Sequence, residues 1–306
     1  MIDRRTLLKV GSALGAGLLL PAGNARAQSG PTLTRKIPAT GEALPAIGMG
    51  SWKTFQVMFD KEALAVRTRI LAEFFSRGGA IIDSSPMYGR AEAVIGHGLK
   101  ELGYPRALFK ATKVWIIGRQ SGINQMEHSE SLWGRGGIDL MQIHNMVDWD
   151  THLETLQEWK AVSRIRYIGI TTSHGRRHDE MLEVMATQPF DFVQFTYNIG
   201  DREPEKRLLP LAADRGIAVI VNRPFEGGSL FSSVRGKPLP AWAGEIDCAN
   251  WAQFFLKFAI SHPAVTCAIP ATSQPAHMVE NMGAGSGRVP DAAMRRRMAD
   301  YFKSLI

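Results

Sequence analysis

The sequence predicts an α/β fold, a (β/α)8 TIM barrel with an N-terminal β-hairpin and an extra C-terminal helix. First, eight short apolar segments typical of buried strands recur at roughly thirty-residue spacing. Second, segments of helical periodicity separate them, and Gly follows several of these as a helix C-cap would. Third, no G-x-G-x-x-G motif follows any strand, which argues against the alternative of a doubly wound open sheet.

Residues 1–27 have the pattern of an export signal: a basic start, an apolar run over Val10–Leu20, and an A-x-A cleavage site ending at Ala27. The pair Arg4-Arg5 resembles a twin-arginine signal, with a Sec signal or an uncleaved tail as alternatives. The apolar run would rise only about 16 Å as a helix, too little to span about 30 Å of bilayer hydrocarbon. We expect periplasmic export through the twin-arginine machinery, with residues 28–306 as a single barrel domain.

The composition argues against several classes of partner. The net charge of +7 falls to +4 without the leader, because the leader holds four basic residues and one acid. No stripe of Lys and Arg alternates with aromatic residues, so we expect no nucleic-acid binding. No His and Cys cluster has metal-ligand spacing, and the two cysteines, Cys248 and Cys267, do not require a disulfide. We expect a monomer or a small homo-oligomer.

The elements follow one another in a regular order after the leader. A short hairpin is expected within Thr32–Gly50, with its turn near Pro38–Gly41. The clearest helical segments are Glu62–Arg77, His152–Val162, Glu205–Arg215 and Ala249–Ser261. The expected barrel strands are Ile47–Met49, Ala80–Ile82, Leu108–Ala111, Leu140–Ile143, Tyr167–Ile170, Phe192–Phe195, Ala218–Val221 and Thr266–Ile269.

Four titratable residues follow three consecutive predicted strands. Asp83 ends the second strand and Tyr88 follows in its loop, while Lys113 and His144 end the third and fourth. Each alone has an ordinary structural explanation, such as a helix cap, a loop tyrosine, a surface charge or a core histidine. Because barrel enzymes carry their chemistry at the carboxyl ends of the strands, the four together predict a catalytic group.

This combination of side chains suits acid catalysis by a phenol. An ammonium about 3 Å from Tyr88 would stabilise its phenolate by roughly 5 kcal/mol at an effective dielectric constant near 20, and so lower its pKa. Asp83 would hold Lys113 in place, and His144 would donate a hydrogen bond or relay a proton. Such an acid would protonate the alkoxide that forms when hydride adds to a carbonyl.

These motifs resemble the aldo-keto reductase family, and they occur in family order over nearly the whole chain beyond the leader. The matching segments are Gly48–Lys53, Asp83–Gly89 with Glu92, Thr112–Trp115, Asp139–His144, Tyr167–Ile170, Gln194–Asn198 and Ile269–Ser273 with His277, Glu280 and Asn281. The resemblance implies a barrel that reduces a small-molecule carbonyl with NAD(P)H, with Asp83, Tyr88, Lys113 and His144 as the catalytic tetrad and Tyr88 as the general acid.

The resemblance also implies where the cofactor binds, with NADP(H) expected in preference to NAD(H). Trp52 and Trp115 would line the substrate pocket, with rim packing as the alternative, and Trp149 and His174 are lesser candidates. The implied cofactor-binding residues are Thr171, Thr172, Gln194, Asn222, Arg223, Phe225, Gly227, Ser229, Leu230, Ile269, Ala271, Thr272, Ser273, His277, Glu280 and Asn281.

The cofactor side departs from the family pattern in three places. Asn222 occupies the position of an aromatic residue that usually stacks on the nicotinamide, and Thr171-Thr172 replaces a Ser-Asn pair. Ala271 and His277 stand where a Lys or Arg often contacts the adenosine phosphate. Arg223 could meet pyrophosphate or an acidic substrate, or could form a structural ion pair. A nucleotide-binding sensor or partner subunit with little turnover is therefore the alternative function.

Overall fold

The computed structural model describes residues 32–306, so the expected leader lies outside the described residues. The described chain begins with an antiparallel hairpin of β1 (Thr34–Lys36) and β2 (Ala43–Pro45). Its turn is stabilised by the Gly41 N–H, which donates to the carbonyl oxygen of Ile37 at 2.8 Å. The hairpin that the sequence predicts is therefore confirmed.

Eight parallel strands follow, each hydrogen-bonded to its neighbours in chain order. Single parallel bridges from Ile47 to Ala268 and from Gly50 to Ala271 join the first barrel strand to the last, as a barrel requires. The predicted (β/α)8 fold is confirmed. The strands are β3 (Met49–Gly50), β4 (Ile81–Asp83), β5 (Phe109–Val114), β6 (Ile138–Ile143), β7 (Ile165–Thr171), β8 (Phe192–Thr196), β9 (Ala218–Asn222) and β10 (Cys267–Ala268).

The helices start and stop where their cap residues dictate. The carboxylates of Asp60 and Asp291 each accept a backbone N–H at 2.8 Å in the first turn of α1 and α10, respectively. Gly78 and Gly216 have φ of +81° and +64° just beyond α1 and α6, as expected of helix-ending glycines. The helices are α1 (Lys61–Ser76), α2 (Ala91–Glu101), α3 (Arg119–Trp133), α4 (Trp149–Ala161), α5 (His178–Thr187), α6 (Leu208–Asp214), α7 (Ser229–Ser233), α8 (Trp251–Ile260), α9 (Pro275–Gly283) and α10 (Ala292–Leu305), the expected extra C-terminal helix.

The alternation of side chains along each strand explains where polar groups gather. In β5, Phe109 and Ala111 belong to the apolar cluster inside the barrel, and Lys113 is the next residue on the same face. Ile37 and Leu44 of the hairpin segment pack into the same cluster. The barrel interior is therefore apolar near the amino ends of the strands and polar near their carboxyl ends.

Residues 32–306 lack two kinds of feature, a membrane-spanning helix and a cluster of metal-ligand side chains. No helix in this part of the chain is both long and apolar enough to cross a bilayer. Within the same residues, no group of three or more His, Cys, Asp or Glu side chains could hold a metal ion. The thiols of Cys248 and Cys267 are buried and are not joined in a disulfide.

Candidate active site

A cavity of about 610 Å³ opens at the carboxyl ends of the barrel strands. Its volume lies within the range of small-molecule sites, about 300–1,000 Å³. Many of the residues singled out in the sequence converge on it from strands far apart in the chain. Those lining the cavity are Trp52, Asp83, Tyr88, His144, Thr171, Thr172, His174, Gln194, Asn222, Arg223, Phe225, Gly227, Ile269 and Ala271.

A buried ion pair lies at the floor of the cavity. Lys113 Nζ donates to Asp83 Oδ2 at 2.5 Å and to the carbonyl oxygen of Ser84 at 2.7 Å. Asp83 Oδ1 accepts from the side-chain amides of Gln142 at 2.8 Å and Gln194 at 3.0 Å. These bonds offset the cost of removing both charges from water. Burial lowers the pKa of Lys113, while the neighbouring Asp83 acts in the opposite direction.

Tyr88 ends a 3₁₀ turn over Pro86–Tyr88, and its ring meets that of His144 edge to face, with centroids 5.7 Å apart. Lys113 Nζ lies 5.4 Å from the centroid of the Tyr88 ring, and no described residue hydrogen-bonds the Tyr88 hydroxyl. Burial and then the charge of Asp83 raise the pKa of Tyr88. The expected lowering of this pKa is therefore wrong for this structure, because burial dominates and the Lys113 ammonium is bonded to Asp83 instead of to the phenol.

His144 follows β6 directly, and its Nδ1 lies 2.8 Å from the hydroxyl oxygen of Ser85. Burial and then the charge of Lys113 lower the pKa of His144 to about 2, so the imidazole is neutral at physiological pH. The next residue, Asn145, is in the left-handed region with φ of +53°. Its N–H donates to Thr171 Oγ1 at 3.0 Å, which fixes the backbone beside His144.

Sequence reasoning missed Gln142 and Ser85, which contact the tetrad directly. Gln142 lies two residues before His144 and is fully buried on the inward face of β6. Because side chains two residues apart lie on the same face of a strand, the position two residues before His144 could have been recognised as a candidate. Ser85 lies two residues beyond Asp83 and is also fully buried. Its contact with His144 joins residues 59 apart in the chain, so local sequence gives no signal for it.

Glu92, part of the same sequence motif as Tyr88, is a buried structural carboxylate. It accepts hydrogen bonds from Thr112 Oγ1 at 2.5 Å, Ser129 Oγ at 2.9 Å and Trp133 Nε1 at 2.9 Å. These contacts join α2 to β5 and α3. They fix the part of β5 that carries Lys113, whose protonated form the Glu92 charge also favours.

The polar groups expected to hold the nicotinamide are already bonded to other parts of the protein. Gln194 Nε2 donates to Asp83 and also to Gln142 Oε1, at 3.0 Å in each case. Asn222 Nδ2 donates to the Thr172 carbonyl oxygen at 2.9 Å and to Gln194 Oε1 at 3.3 Å. The Thr172 hydroxyl donates to the backbone carbonyl of Arg176. Asn222 therefore joins neighbouring strands in place of the stacking ring that the resemblance implies.

The loop after β9 forms the opposite wall of the cavity. The Arg223 guanidinium donates to Glu226 Oε1 at 2.7 Å, and its Cζ lies 5.9 Å from the centroid of the Trp52 ring. The structural ion pair is thus present, while Arg223 Nε has no partner among the described residues. Gly227 and Gly228 have φ of +65° and +102°, a conformation that glycine adopts without strain.

Several expected cofactor residues lie outside the lining of the cavity. The hydroxyl oxygen of Thr272 accepts the Gln274 N–H at 3.1 Å before α9. Leu230 and Asn281 are buried, whereas Ser273 and His277 are exposed. Their proposed contacts with the cofactor remain predictions. The set outside the lining is Ser229, Leu230, Thr272, Ser273, His277, Glu280 and Asn281.

The two substrate-pocket tryptophans occupy different places. Trp52 lines the cavity, and its ring meets His174, another lining residue, edge to face at 6.4 Å. Trp115 is 40% exposed and lies outside the lining, although its ring is 6.4 Å from that of His144. Trp149 packs against the core instead. The lining also includes Met87 and Phe231, two exposed apolar residues that the sequence did not single out.

Comparisons with known proteins agree with this arrangement. A family model described as "Aldo/keto reductase family" matches residues 46–297. The chain is 26% identical over 200 residues to aldo-keto reductase YhdN of Bacillus subtilis, a match covering 60% of each protein. It is 27% identical over 245 residues to the NADH-specific methylglyoxal reductase of Escherichia coli, covering 68% of this chain and 73% of that one.

Solved structures show the same fold. An aldo-keto reductase of Klebsiella pneumoniae in complex with NADPH has a TM-score of 0.73 and 22% identity, covering 89% of this chain and 95% of that one. The holo form of an aldo-keto reductase of Bacillus halodurans has a TM-score of 0.72 and 21% identity, covering 89% and 96%. At these identities, the likeness bears on the fold alone.

Proposed function

The chain belongs to the aldo/keto reductase family and is an NAD(P)-dependent oxidoreductase, and we propose that it reversibly reduces an aldehyde or ketone to an alcohol, with Tyr88 as the proton donor. One observation carries this proposal. The rings of Tyr88 and His144 meet edge to face in the cavity, beside the buried pair of Lys113 and Asp83. A carbonyl oxygen bound beside the two rings, within reach of the Tyr88 hydroxyl and the His144 imidazole, would meet an acid and a hydrogen-bond donor together.

The raised pKa of Tyr88 is compatible with this role. A phenol that keeps its proton at neutral pH is available as an acid throughout the physiological range. The alkoxide formed by hydride addition is a strong base, and the protonated phenol would lie beside it to supply the proton. The neutral imidazole of His144 would polarise the carbonyl by hydrogen bonding, and the positive charge of Lys113 would stabilise negative charge developing nearby.

The residues present fit a nicotinamide dinucleotide, which would supply the hydride when bound. In the described part of the chain, Gln194 Oε1 accepts only one long hydrogen bond, from Asn222 Nδ2 at 3.3 Å, and so retains capacity to accept from a carboxamide. The glycine-containing loop at Gly227 and Gly228 permits close approach of a pyrophosphate. Thr272 and Ser273 precede α9, whose N-terminus suits a phosphate.

We favour NADP(H) over NAD(H) because the N-terminus of α9 can bind a phosphate group, and because a solved structure of the same fold is a complex with NADPH. The named NADH specificity of one relative, and the absence of a cation at Ala271 and His277, point the other way. Titrating the purified protein with each cofactor and following the quenching of tryptophan fluorescence would measure the preference. A dissociation constant lower for NADH than for NADPH would contradict it.

The proposed reaction is tested by following absorbance of NADPH and of NADH with a panel of aldehydes and ketones. Tyr88→Phe should lower kcat by about 10²–10⁴-fold. Tyr301→Phe, in α10 and outside the cavity, is the matched control for loss of a phenol hydroxyl. The proposal fails if no carbonyl is reduced, or if Tyr88→Phe is as active as wild type.

A nucleotide-binding sensor or partner subunit is the second candidate function. The observation that favours it is the bonding of Asn222 to Thr196, Thr172 and Gln194 at the usual nicotinamide-stacking position. The bonded tetrad argues against it, since cofactor binding alone does not need an acid beside the cavity. Tight NADPH binding by calorimetry without turnover of any carbonyl would identify this function.

We also propose that residues 1–27 are a twin-arginine leader and that the protein acts in the periplasm. The support is the pattern of the leader in the sequence, with its Arg4-Arg5 pair. Cell fractionation should find the protein in the periplasm, and Arg4→Lys/Arg5→Lys should retain it in the cytoplasm. Periplasmic delivery that persists in a strain lacking the twin-arginine translocase would contradict the route.

A further inference from the structure

We propose that Ser85 is a positioning residue that fixes the proton of His144 on Nε2, by donating a hydrogen bond from its hydroxyl to Nδ1. This inference rests on the proposed function, in which His144 donates to the substrate carbonyl. Ser85 is not a catalytic residue in this proposal, because it would act on the substrate only through His144. The contacts of the Ser85 hydroxyl carry the inference.

The Ser85 side chain is held in a single environment. The residue is fully buried, with extended backbone, and its Oγ is 2.8 Å from His144 Nδ1. The same Oγ accepts the Met87 N–H at 3.2 Å, which caps the 3₁₀ turn that ends at Tyr88. One hydroxyl therefore contacts both the segment that carries the phenol and the imidazole facing it.

Counting hydrogens assigns the direction of the Ser85–His144 bond. A serine hydroxyl has one hydrogen to donate and two lone pairs to accept with. One lone pair of Ser85 Oγ accepts from the backbone N–H of Met87. His144 Nδ1 is the only other hydrogen-bond partner of this hydroxyl among residues 32–306. If Nδ1 also donated, the buried Ser85 hydrogen would have no acceptor, at a cost of about 1–3 kcal/mol. Nδ1 is therefore the acceptor.

The proton of the neutral ring must then lie on Nε2, since a neutral imidazole has one protonated nitrogen. Nε2 has no hydrogen-bond partner among the described residues, and His144 lines the cavity. An N–H from this atom is thus available to a carbonyl oxygen bound beside Tyr88. The opposite tautomer would present a lone pair to that oxygen, which would repel it.

The tautomer can be measured without substrate in full-length protein labelled with ¹⁵N at histidine. Long-range ¹H–¹⁵N spectra distinguish the two tautomers, and the signals missing in His144→Gln assign this ring. Wild type should show the Nε2–H tautomer. Ser85→Ala should shift the His144 signals towards a mixture, and Ser85→Thr, which keeps the hydroxyl on an extended backbone, should restore them.

Ser84→Ala is the matched control, since it removes a neighbouring buried hydroxyl that contacts Ser51 instead of His144. It should leave the His144 signals unchanged. An Nδ1–H tautomer or an imidazolium in wild type would overturn the proposal, as would an unchanged tautomer in folded Ser85→Ala. Because these spectra need no turnover, failure to find a carbonyl substrate would overturn the proposed function without affecting this result.

Kinetics separate positioning from a general effect on packing. Ser85→Ala should lower kcat about tenfold, with a smaller change in KM, if an unfixed ring donates poorly in the transition state. In a His144→Gln background, Ser85→Ala should cause little further loss, because the residue would act through the imidazole. An equal loss in both backgrounds would show that Ser85 acts through the Tyr88 turn or through packing, and would contradict the proposal.

Discussion

The half of the cavity formed by β4, β5 and β6 differs from the half formed by β9 and the loops after β9 and β10. In the first half, Asp83, Lys113 and His144 are buried and bonded to neighbouring protein groups. In the second half, the buried Nε of Arg223 has no partner within residues 32–306, and Ala271 supplies no cation. We call the first the catalytic half and the second the cofactor half, after the roles proposed for them. In the catalytic half, contacts within the protein fix the charged groups.

A chain of side-chain amides connects the two halves. Asp83 accepts from Gln142 and Gln194, and Gln194 in turn accepts from Asn222. Gln194, which the resemblance assigns to cofactor binding, therefore also positions Asp83, the proposed catalytic aspartate. Changes confined to one half would test how far these side-chain hydrogen bonds couple the two halves.

Lys113→Met should have the largest effect, because it removes a fully buried charge and leaves Asp83 unpaired. We expect a loss of about 3–5 kcal/mol in the free energy of unfolding. We also expect kcat to fall by at least about 10²-fold. Urea unfolding and steady-state kinetics measure the two effects.

The double variant Lys113→Met/Asp83→Leu is the control for charge imbalance. It should recover much of the stability, since an apolar pair can replace a buried ion pair, but it should not recover activity. If both variants were as stable as wild type, Lys113 and Asp83 would not have the tightly coupled burial described here.

Much of this half could be predicted from the sequence because two simple regularities govern it. Alternation along the strands gives the inward face, and the carboxyl ends of barrel strands converge. Together they identified Asp83, Lys113 and His144 from the points where apolar runs change to polar residues. The strand and hairpin positions followed from the same apolar pattern and from turn residues.

Properties set by neighbours distant in the chain could not be predicted. The pKa of Tyr88 depends on whether Lys113 bonds to the phenol or to Asp83, and sequence spacing does not distinguish these arrangements. The Ser85–His144 contact requires the relative position of two loops. On the cofactor side, the sequence showed that Asn222 is unusual but not that neighbouring strands already bind its amide.

Adding cations to the cofactor half should have an intermediate effect. Ala271→Lys with His277→Arg would place positive charges beside the start of α9, where the additional phosphate of NADPH is expected. We expect the dissociation constant for NADPH to fall about tenfold, which is about 1.4 kcal/mol, with little change for NADH. Fluorescence titration measures both constants.

Ala292→Lys with Ala293→Lys, two exposed positions in the first turn of α10, adds the same two charges and controls for net charge alone. If it improved NADPH binding as much as the Ala271→Lys/His277→Arg variant, general electrostatic attraction would explain the gain. Equal tightening for NADPH and NADH by the Ala271→Lys/His277→Arg variant would place the phosphate site elsewhere. Either result would weaken the contrast between the two halves.

The smallest expected effect concerns the pH dependence of stability, and it compares a buried histidine of the catalytic half with His174 on the exposed rim. The pKa of His144 is lowered from 6.5 to about 2 in the folded protein. Above pH 6.5, folded and unfolded states are both neutral at this residue, so it adds no slope. As pH falls below 6.5, the unfolded chain gains a proton that the folded protein does not, so stability is lost.

His144→Gln should therefore flatten the decline in stability between pH 6.5 and 5.5. The slope changes by at most one proton, or about 1.36 kcal/mol per pH unit, so the total change over this range is about 1 kcal/mol. Above pH 7, its unfolding free energy should run parallel to that of wild type. His174→Gln should give a change of the same sign but smaller, because the lowered pKa of His174 belongs to an exposed ring. Urea unfolding across this pH range measures both slopes. If His174→Gln changed the slope more than His144→Gln did, the histidine with the more strongly lowered pKa would lie on the rim. The contrast between the halves would then be reversed.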